Sequence, residues 1–112
     1  MPRDYKIYLN DLLEAIGKIE HYTHGLTYRQ FIDDTKTTDA VIRNLEIIGE
    51  AIKHIPESVR DRRPDVEWKK IAGLRDMLVH AYFGVDLEIV WDVLTNKLPV
   101  LHEQIQDMMS EM

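Results

Sequence analysis

One stretch of the chain, GLRDMLVHAYFG at 73–84, places charged and titratable side chains inside an otherwise apolar segment. Its polar members are Arg75, Asp76, His80 and Tyr82. A charge in an apolar helix costs free energy unless it is paired or used in chemistry. The residue types therefore leave two interpretations open, a salt-bridged interface patch or a catalytic centre.

Helical geometry brings these four side chains within about two turns of each other. Asp76 and His80 are one turn apart and face each other. Arg75 and Tyr82 are seven residues apart and lie on nearly the same line. Arg75 and His80 are about 140° apart around the axis, a separation that a long Arg side chain can bridge by bending. One helix can thus present a fixed cation, a carboxylate-oriented imidazole and a phenol.

This combination suits the cleavage of RNA without a metal ion. A histidine with a pKa near neutrality can take the proton from the 2′-hydroxyl or return one to the leaving oxygen, a role for His80. The guanidinium of Arg75 matches the charge that grows on the phosphoryl oxygens. A carboxylate such as Asp76 fixes the imidazole tautomer. Spacing alone nevertheless favours the interface patch, and Tyr82 by itself is typical of a core residue with a wetted hydroxyl.

A metal or cofactor site is not indicated elsewhere. His21 and His24 are three apart beside Glu20, but the sequence positions no third ligand. The chain has no Cys, which excludes thiolate ligands and disulfides. We therefore expect neither a metal ion nor a cofactor.

Apolar periodicity predicts one all-α domain over 1–112. The apolar spacing indicates four amphipathic helices joined by short connections, which bury their stripes most simply as an antiparallel four-helix bundle. Thr27 and Gln30 read as a capping box for an extra short helix, YRQFIDD. Pro99 should kink or split the fourth helix. The predicted long helices are approximately Tyr5–Tyr22, Asp39–Ile55, Trp68–Phe83, with Gly84 as its stop, and Leu87–Met109, with Asp86 as its N-cap.

Three apolar residues lie outside the main helical stripes and suggest a second buried surface. They are Ile47, Trp91 and Leu94. A small bundle has little interior for them, so we expect a homodimer. No apolar run approaches the ~20 residues of a membrane span, and the first residues lack the apolar core of a signal peptide. A cytoplasmic protein with no membrane partner is the expectation.

The string RDMLVHAY resembles the R-x-x-x-x-H-x-Y signature of HepT-like toxins of the HEPN ribonuclease superfamily, in which Arg is typically followed by Asn, Asp or His. The flanking strings AVIRNLEIIGEAIKHIP, WKKIAGLRD, HAYFGVDLEIVWDV and LPVLHEQI also look like this family. The bare Arg–His spacing is weakly specific, but the trailing Tyr and these neighbours make the resemblance strong over nearly the whole chain.

The resemblance implies a HEPN-like bundle that dimerises so that two motifs line one cleft. It implies an endoribonuclease that needs no metal ion and leaves 2′,3′-cyclic phosphate and 5′-hydroxyl ends. Arg75 and His80 would be catalytic, with Asp76 in the supporting polar position. The implied partner is an MNT-type nucleotidyltransferase antitoxin, which would transfer AMP to Tyr82.

The charge distribution bears on how such a protein would hold RNA. The net charge is −6, yet the segment from Lys53 to Arg75 carries seven Lys or Arg and four acids. Composition alone favours a solvated connection here, because net acidic chains repel phosphates. Given the resemblance, we expect this segment to supply part of an RNA-binding rim. The predicted RNA-binding residues are Arg62, Arg63, Lys69 and Lys70.

Two alternatives from other classes stay open. One is a non-catalytic helical partner that regulates a nucleotidyltransferase. The other is a nucleotide-binding module in which Arg75 holds a phosphate.

Overall fold

The computed structural model describes residues 4–74, 76, 78 and 86–111. Within these residues all regular structure is helical, so the predicted all-α class is confirmed. The elements in chain order are α1 Tyr5–Thr23, α2 Tyr28–Asp33, α3 Thr35–Lys53, α4 Glu57–Arg60, α5 Trp68–Ala72, α6 Leu87–Asp92, a π-helical turn Val93–Lys97, and α7 Leu98–Ser110.

The centre of the fold is the pairing of α1 with α3. Helix α7 packs against α1, and α5 packs against α3. Asp4 caps the start of α1 by accepting a hydrogen bond from the Lys6 amide at 3.0 Å. Gly25, at φ 75°, turns the chain after α1 ends. A positive φ favours glycine, which is the residue type that commonly ends a helix in this way. The buried core draws on all the long helices, with fully buried side chains that include Leu9, Leu12, Ile16, Ile19, Leu45, Ile48, Ile52, Leu98 and Leu101.

Helix α3 begins four residues earlier than the apolar spacing predicted. Its N-cap is Asp34, whose carboxylate accepts hydrogen bonds from the Thr37 amide at 3.1 Å and the Thr37 hydroxyl at 2.7 Å. These two bonds, the hydroxyl bond foremost, lower the pKa of Asp34. The predicted start at Asp39 is wrong because this cap stabilises a polar first turn that carries no apolar periodicity.

The short helix α2 confirms the predicted capping box. The Thr27 amide donates to Gln30 Oε1 at 2.9 Å, and the Gln30 amide donates to Thr27 Oγ1 at 3.2 Å. An aromatic cluster joins α2 to α6. The Trp91 ring of α6 lies against Tyr28 and Phe31 of α2, with its centroid 5.9 Å from that of Tyr28 and 5.2 Å from that of Phe31.

That cluster changes the argument for a second buried surface. Trp91 packs against α2, and Leu94 is buried within the subunit. Two of the three residues that suggested a dimer therefore pack within a single subunit. Ile47 remains 38% exposed, and the homodimer stays a prediction.

The fourth predicted helix is helical from Leu87 to Ser110 but changes from α to π geometry at Val93–Lys97, just before Pro99. Asp86 caps α6 through its carboxylate, which accepts from the Glu88 amide at 3.0 Å. The chain then passes through the π-helical turn and continues as α7, with Pro99 in its first turn. Proline has no amide hydrogen and crowds the carbonyl four residues earlier. The wider turn just before it relieves that crowding. Among the described helices, none is long and apolar enough to cross a membrane.

Candidate active site

Of the motif segment 73–84, the structure describes Gly73, Leu74, Asp76 and Leu78. Leu74 and Leu78 are helical and buried, at 8% and 1% exposure, and they are one turn apart. Asp76 lies between them in sequence, is also helical, and is exposed. The other three predicted motif residues lie outside the described residues; they are Arg75, His80 and Tyr82.

The helix predicted from Trp68 to Phe83 is interrupted near its start. Helix α5 ends at Ala72, and a turn follows at Gly73 before Leu74 is helical again. A Cβ at Gly73 would lie 3.3 Å from the Lys69 carbonyl oxygen, closer than most side chains tolerate. The predicted end at Phe83 and the predicted stop at Gly84 lie outside the described residues.

Three of the four predicted RNA-binding residues are exposed on the connection that leads to the motif segment. Arg62 lies in the turn after α4, and Lys69 and Lys70 lie in α5. Lys70 is 3.5 Å from the Glu67 carboxylate, but both side chains are well exposed. An exposed ion pair of this kind contributes little and exchanges readily. These cations are therefore available to an anionic ligand.

Arg63 has a different environment from its neighbour Arg62. Its side chain is 16% exposed and binds Asp65 through two hydrogen bonds, Nε to Oδ1 at 3.0 Å and Nη2 to Oδ2 at 2.9 Å. Its Nη1 donates to Asp107 of α7 at 3.1 Å. The bond from Arg63 lowers the pKa of Asp65, and Asp65 in turn raises the pKa of Arg63. Arg63 therefore has fewer donors left for RNA than the other three predicted residues.

Further hydrogen bonds fasten the connection between α4 and α5. The indole Nε1 of Trp68 donates to the carbonyl oxygens of Arg60 and Arg63, at 3.1 Å and 3.0 Å. Gln104 of α7 donates to the Asp65 carbonyl at 3.0 Å. Together with the Arg63–Asp107 bond, these contacts hold the basic connection firmly against the bundle.

Two histidine–carboxylate pairs occur away from the motif segment. His102 Nδ1 of α7 lies 3.2 Å from Glu20 Oε1 of α1, and the His102 side chain is 28% exposed. His54 lies 3.4 Å from Glu50 and stacks on the Tyr8 ring, with centroids 4.8 Å apart. Sequence reasoning assigned these histidines no role. The first pair has no sequence signal, because its members are 82 residues apart.

The His21 and His24 side chains, considered above as metal ligands, are both exposed. Among the described residues, no group of three or more His, Asp or Glu side chains is placed to hold a metal ion.

Comparison with known proteins is informative at the family level. The sequence model of the family described as "Ribonuclease HepT-like" matches residues 12–108. A protein of Methanocaldococcus jannaschii, provisionally named an RNase, is 43% identical over 112 residues, which cover 99% of this chain and 93% of that protein. A protein of Thermococcus cleftensis, named a probable ribonuclease HepT, is 46% identical over 101 residues, or 90% of this chain and 92% of that protein.

No solved structure matches the chain significantly. The family match spans most of the sequence, and both relatives align over nearly their whole length. The chain belongs to the ribonuclease HepT-like family.

Proposed function

We propose that this protein is the toxin of a HEPN/MNT toxin–antitoxin pair and an endoribonuclease that needs no metal ion. The observation that carries the proposal is the R-x-x-x-x-H-x-Y string at 75–82 in a chain of the ribonuclease HepT-like family. Relatives that align over nearly their full length carry ribonuclease names.

In the proposed reaction the 2′-oxygen attacks the adjacent phosphorus, and the bond from phosphorus to the 5′-oxygen breaks. A His80 imidazole takes the proton from the 2′-hydroxyl, and an imidazolium protonates the departing 5′-oxygen. Arg75 neutralises the charge that develops on the non-bridging oxygens. Asp76, one turn before His80, would orient the imidazole; its exposed position in the structure leaves it accessible to such a contact.

We propose that the protein acts as a homodimer, because one motif supplies a single histidine for two proton transfers. A two-fold axis would bring a second Arg–His set to the same cleft. Exposed apolar side chains such as Ile47 and Val100 are available for such an interface. Light scattering should then give twice the 13.2 kDa chain mass.

RNA would be held locally in spite of the acidic net charge. The exposed cations Arg62, Lys69 and Lys70 lie on the connection that precedes the motif. Arg63 would act mainly by fixing that connection, through Asp65 and Asp107.

Incubation of the protein with RNA in excess EDTA tests the activity. We expect fragments with 5′-hydroxyl and 2′,3′-cyclic phosphate ends. A strict requirement for a divalent cation, or 5′-phosphate ends, would contradict the proposed chemistry. Intact RNA under all conditions would favour a non-catalytic regulatory partner or a nucleotide-binding module.

The proposed antitoxin is an MNT-type nucleotidyltransferase that transfers AMP to Tyr82. The added phosphate charge and bulk beside the motif would exclude an anionic substrate. The Tyr82→Phe chain, which lacks the acceptor oxygen, should cleave RNA as well as wild type yet escape silencing by the antitoxin and ATP. Mass spectrometry of both chains after this treatment reports the modification. An adenylylated and silenced Tyr82→Phe chain would show that the acceptor lies elsewhere.

A further inference from the structure

An open cleft of about 620 Å³ lies between α4 and the start of α5. Residues of both charge signs line it. The cations are Arg60, Lys69 and Lys70, and the carboxylates are Glu57, Asp61 and Glu67.

Two of the cations that line this cleft, Lys69 and Lys70, are more exposed than Arg63 beside them. Arg60 Nε is buried and has no hydrogen-bond partner among the described residues. Lys69 is exposed, and the structure shows no ion pair between it and another described residue. Lys70 has only the weak pairing with Glu67 at 3.5 Å. A buried donor without an acceptor is costly. A phosphate in the cleft would not contact the buried Nε, but its charge beside the rest of the guanidinium would offset part of that cost.

The two walls of the cleft are also fixed relative to each other. Trp68, whose ring forms part of its wall, donates to the Arg60 carbonyl and so ties the end of α4 to the start of α5. In sequence, Lys69 is four residues before Gly73, where the motif segment begins. A strand that crosses the cleft would therefore lie along the connection that leads into the motif segment.

The mixed charge of the cleft indicates a nucleotide rather than a simple anion. Arg60 and Lys69 can donate to phosphate oxygens. The Glu57 and Asp61 carboxylates would repel a bare phosphate, but carboxylates accept hydrogen bonds from exocyclic base amino groups such as N4 of cytosine. Uracil has no amino group to offer them.

We propose that this cleft binds one nucleotide of the RNA substrate, with its phosphate on Arg60 and Lys69 and an amino-bearing base on Glu57 and Asp61. The inference rests on the proposed ribonuclease function and adds a base preference to it. Arg60 is a binding residue that sequence reasoning did not single out.

Binding of 2′-fluoro oligocytidylate and oligouridylate tests the inference apart from catalysis, because these strands lack the 2′-hydroxyl nucleophile. Wild type should prefer the cytidylate. Arg60→Gln with Lys69→Gln should weaken both strands roughly tenfold and lower the salt slope by about 0.7 for each phosphate that is no longer neutralised. The matched control, Arg43→Gln with Lys18→Gln, removes the same charge from α3 and α1 and should bind as wild type.

The carboxylates provide the second arm of the experiment. Glu57→Gln with Asp61→Asn should abolish the preference for cytidylate. If this variant instead binds both strands equally more tightly, the carboxylates only repel RNA and the base-reading proposal is wrong. Lys69→Gln alone, a change at an exposed residue, serves if the Arg60 variant does not fold.

Failure of this inference is distinguishable from failure of the ribonuclease proposal. If wild type cleaves unmodified RNA while the cleft and control variants bind equally, only the cleft assignment is overturned. Selective cytidylate binding through the cleft without any cleavage would overturn the ribonuclease proposal alone. An absence of all RNA binding would overturn both.

Discussion

Neighbouring arginines of the basic connection have different environments. Arg62 is exposed, whereas Arg63 binds Asp65 and Asp107 and links the connection to α7. The sequence predicted both as RNA-binding residues, since it shows their charge but not the Asp107 partner, 44 positions away. Only the folded chain distinguishes a cation used in structure from one that faces solvent.

This difference predicts unequal effects on stability. Arg63→Gln should lower the free energy of unfolding by about 1–2 kcal/mol, because it removes charge-assisted hydrogen bonds from a largely buried guanidinium. The matched Arg62→Gln change should leave stability at the wild-type value. Urea unfolding of both variants measures this. Equal stability of the two would show that the Arg63 contacts contribute nothing.

The same contact predicts part of the acid response. The folded-state pKa of Asp65 is lowered, chiefly by its hydrogen bond to Arg63. Its contribution to stability is therefore present above the unfolded pKa of about 3.9 and disappears as pH falls through the lower folded value. Asp65→Asn should flatten the decline of stability in this range, as should Arg63→Gln. Thermal melting between pH 2 and pH 6 tests it; curves parallel to wild type would contradict the assigned contact.

At the scale of elements, apolar spacing and caps predicted most helices correctly. The α2 capping box, the α6 cap and the irregular turn before Pro99 all follow from local residue types. Apolar spacing did not predict the start of α3. The cap at Asp34 stabilises a first turn that has no apolar periodicity. The break at Gly73 was also missed, since a single glycine is compatible with a continuous helix.

Helix α3 offers a matched test of its buried face. Ile48 is fully buried in the core, whereas its neighbour Ile47 is 38% exposed. Ile48→Ala should cost about 2–5 kcal/mol through reduced burial and a residual cavity. Ile47→Ala should cost less than about 1 kcal/mol. Chemical denaturation at several protein concentrations compares them. A larger cost at Ile47 that does not change with concentration, and so does not come from a dimer interface, would mean that the assigned face of α3 is wrong.

At the scale of the whole molecule, positive charge is concentrated in one segment of a chain whose net charge is negative. The net charge is −6, while the segment that leads to the motif is net basic. The fold fastens this segment to the bundle through Trp68 and Gln104. An acidic protein can in this way offer RNA a local, salt-sensitive site.

Sequence reasoning reached the fold class and the motif, but not the contacts between distant residues. The Glu20–His102 pair joins α1 to α7 and is invisible to spacing arguments. It is also a rival to the motif, because an imidazole oriented by a carboxylate is what general acid–base chemistry requires. The assignment of catalysis to His80 therefore has to be separated from this pair by experiment.

Cleavage of RNA in excess EDTA by His80→Ala and His102→Ala chains, each checked for folding, makes that separation. The motif account predicts that His80→Ala abolishes cleavage while His102→Ala cleaves at the wild-type rate. Retained cleavage by the folded His80→Ala chain would contradict the central claim. Loss of cleavage in the His102→Ala chain alone would assign the chemistry to the Glu20–His102 pair between α1 and α7.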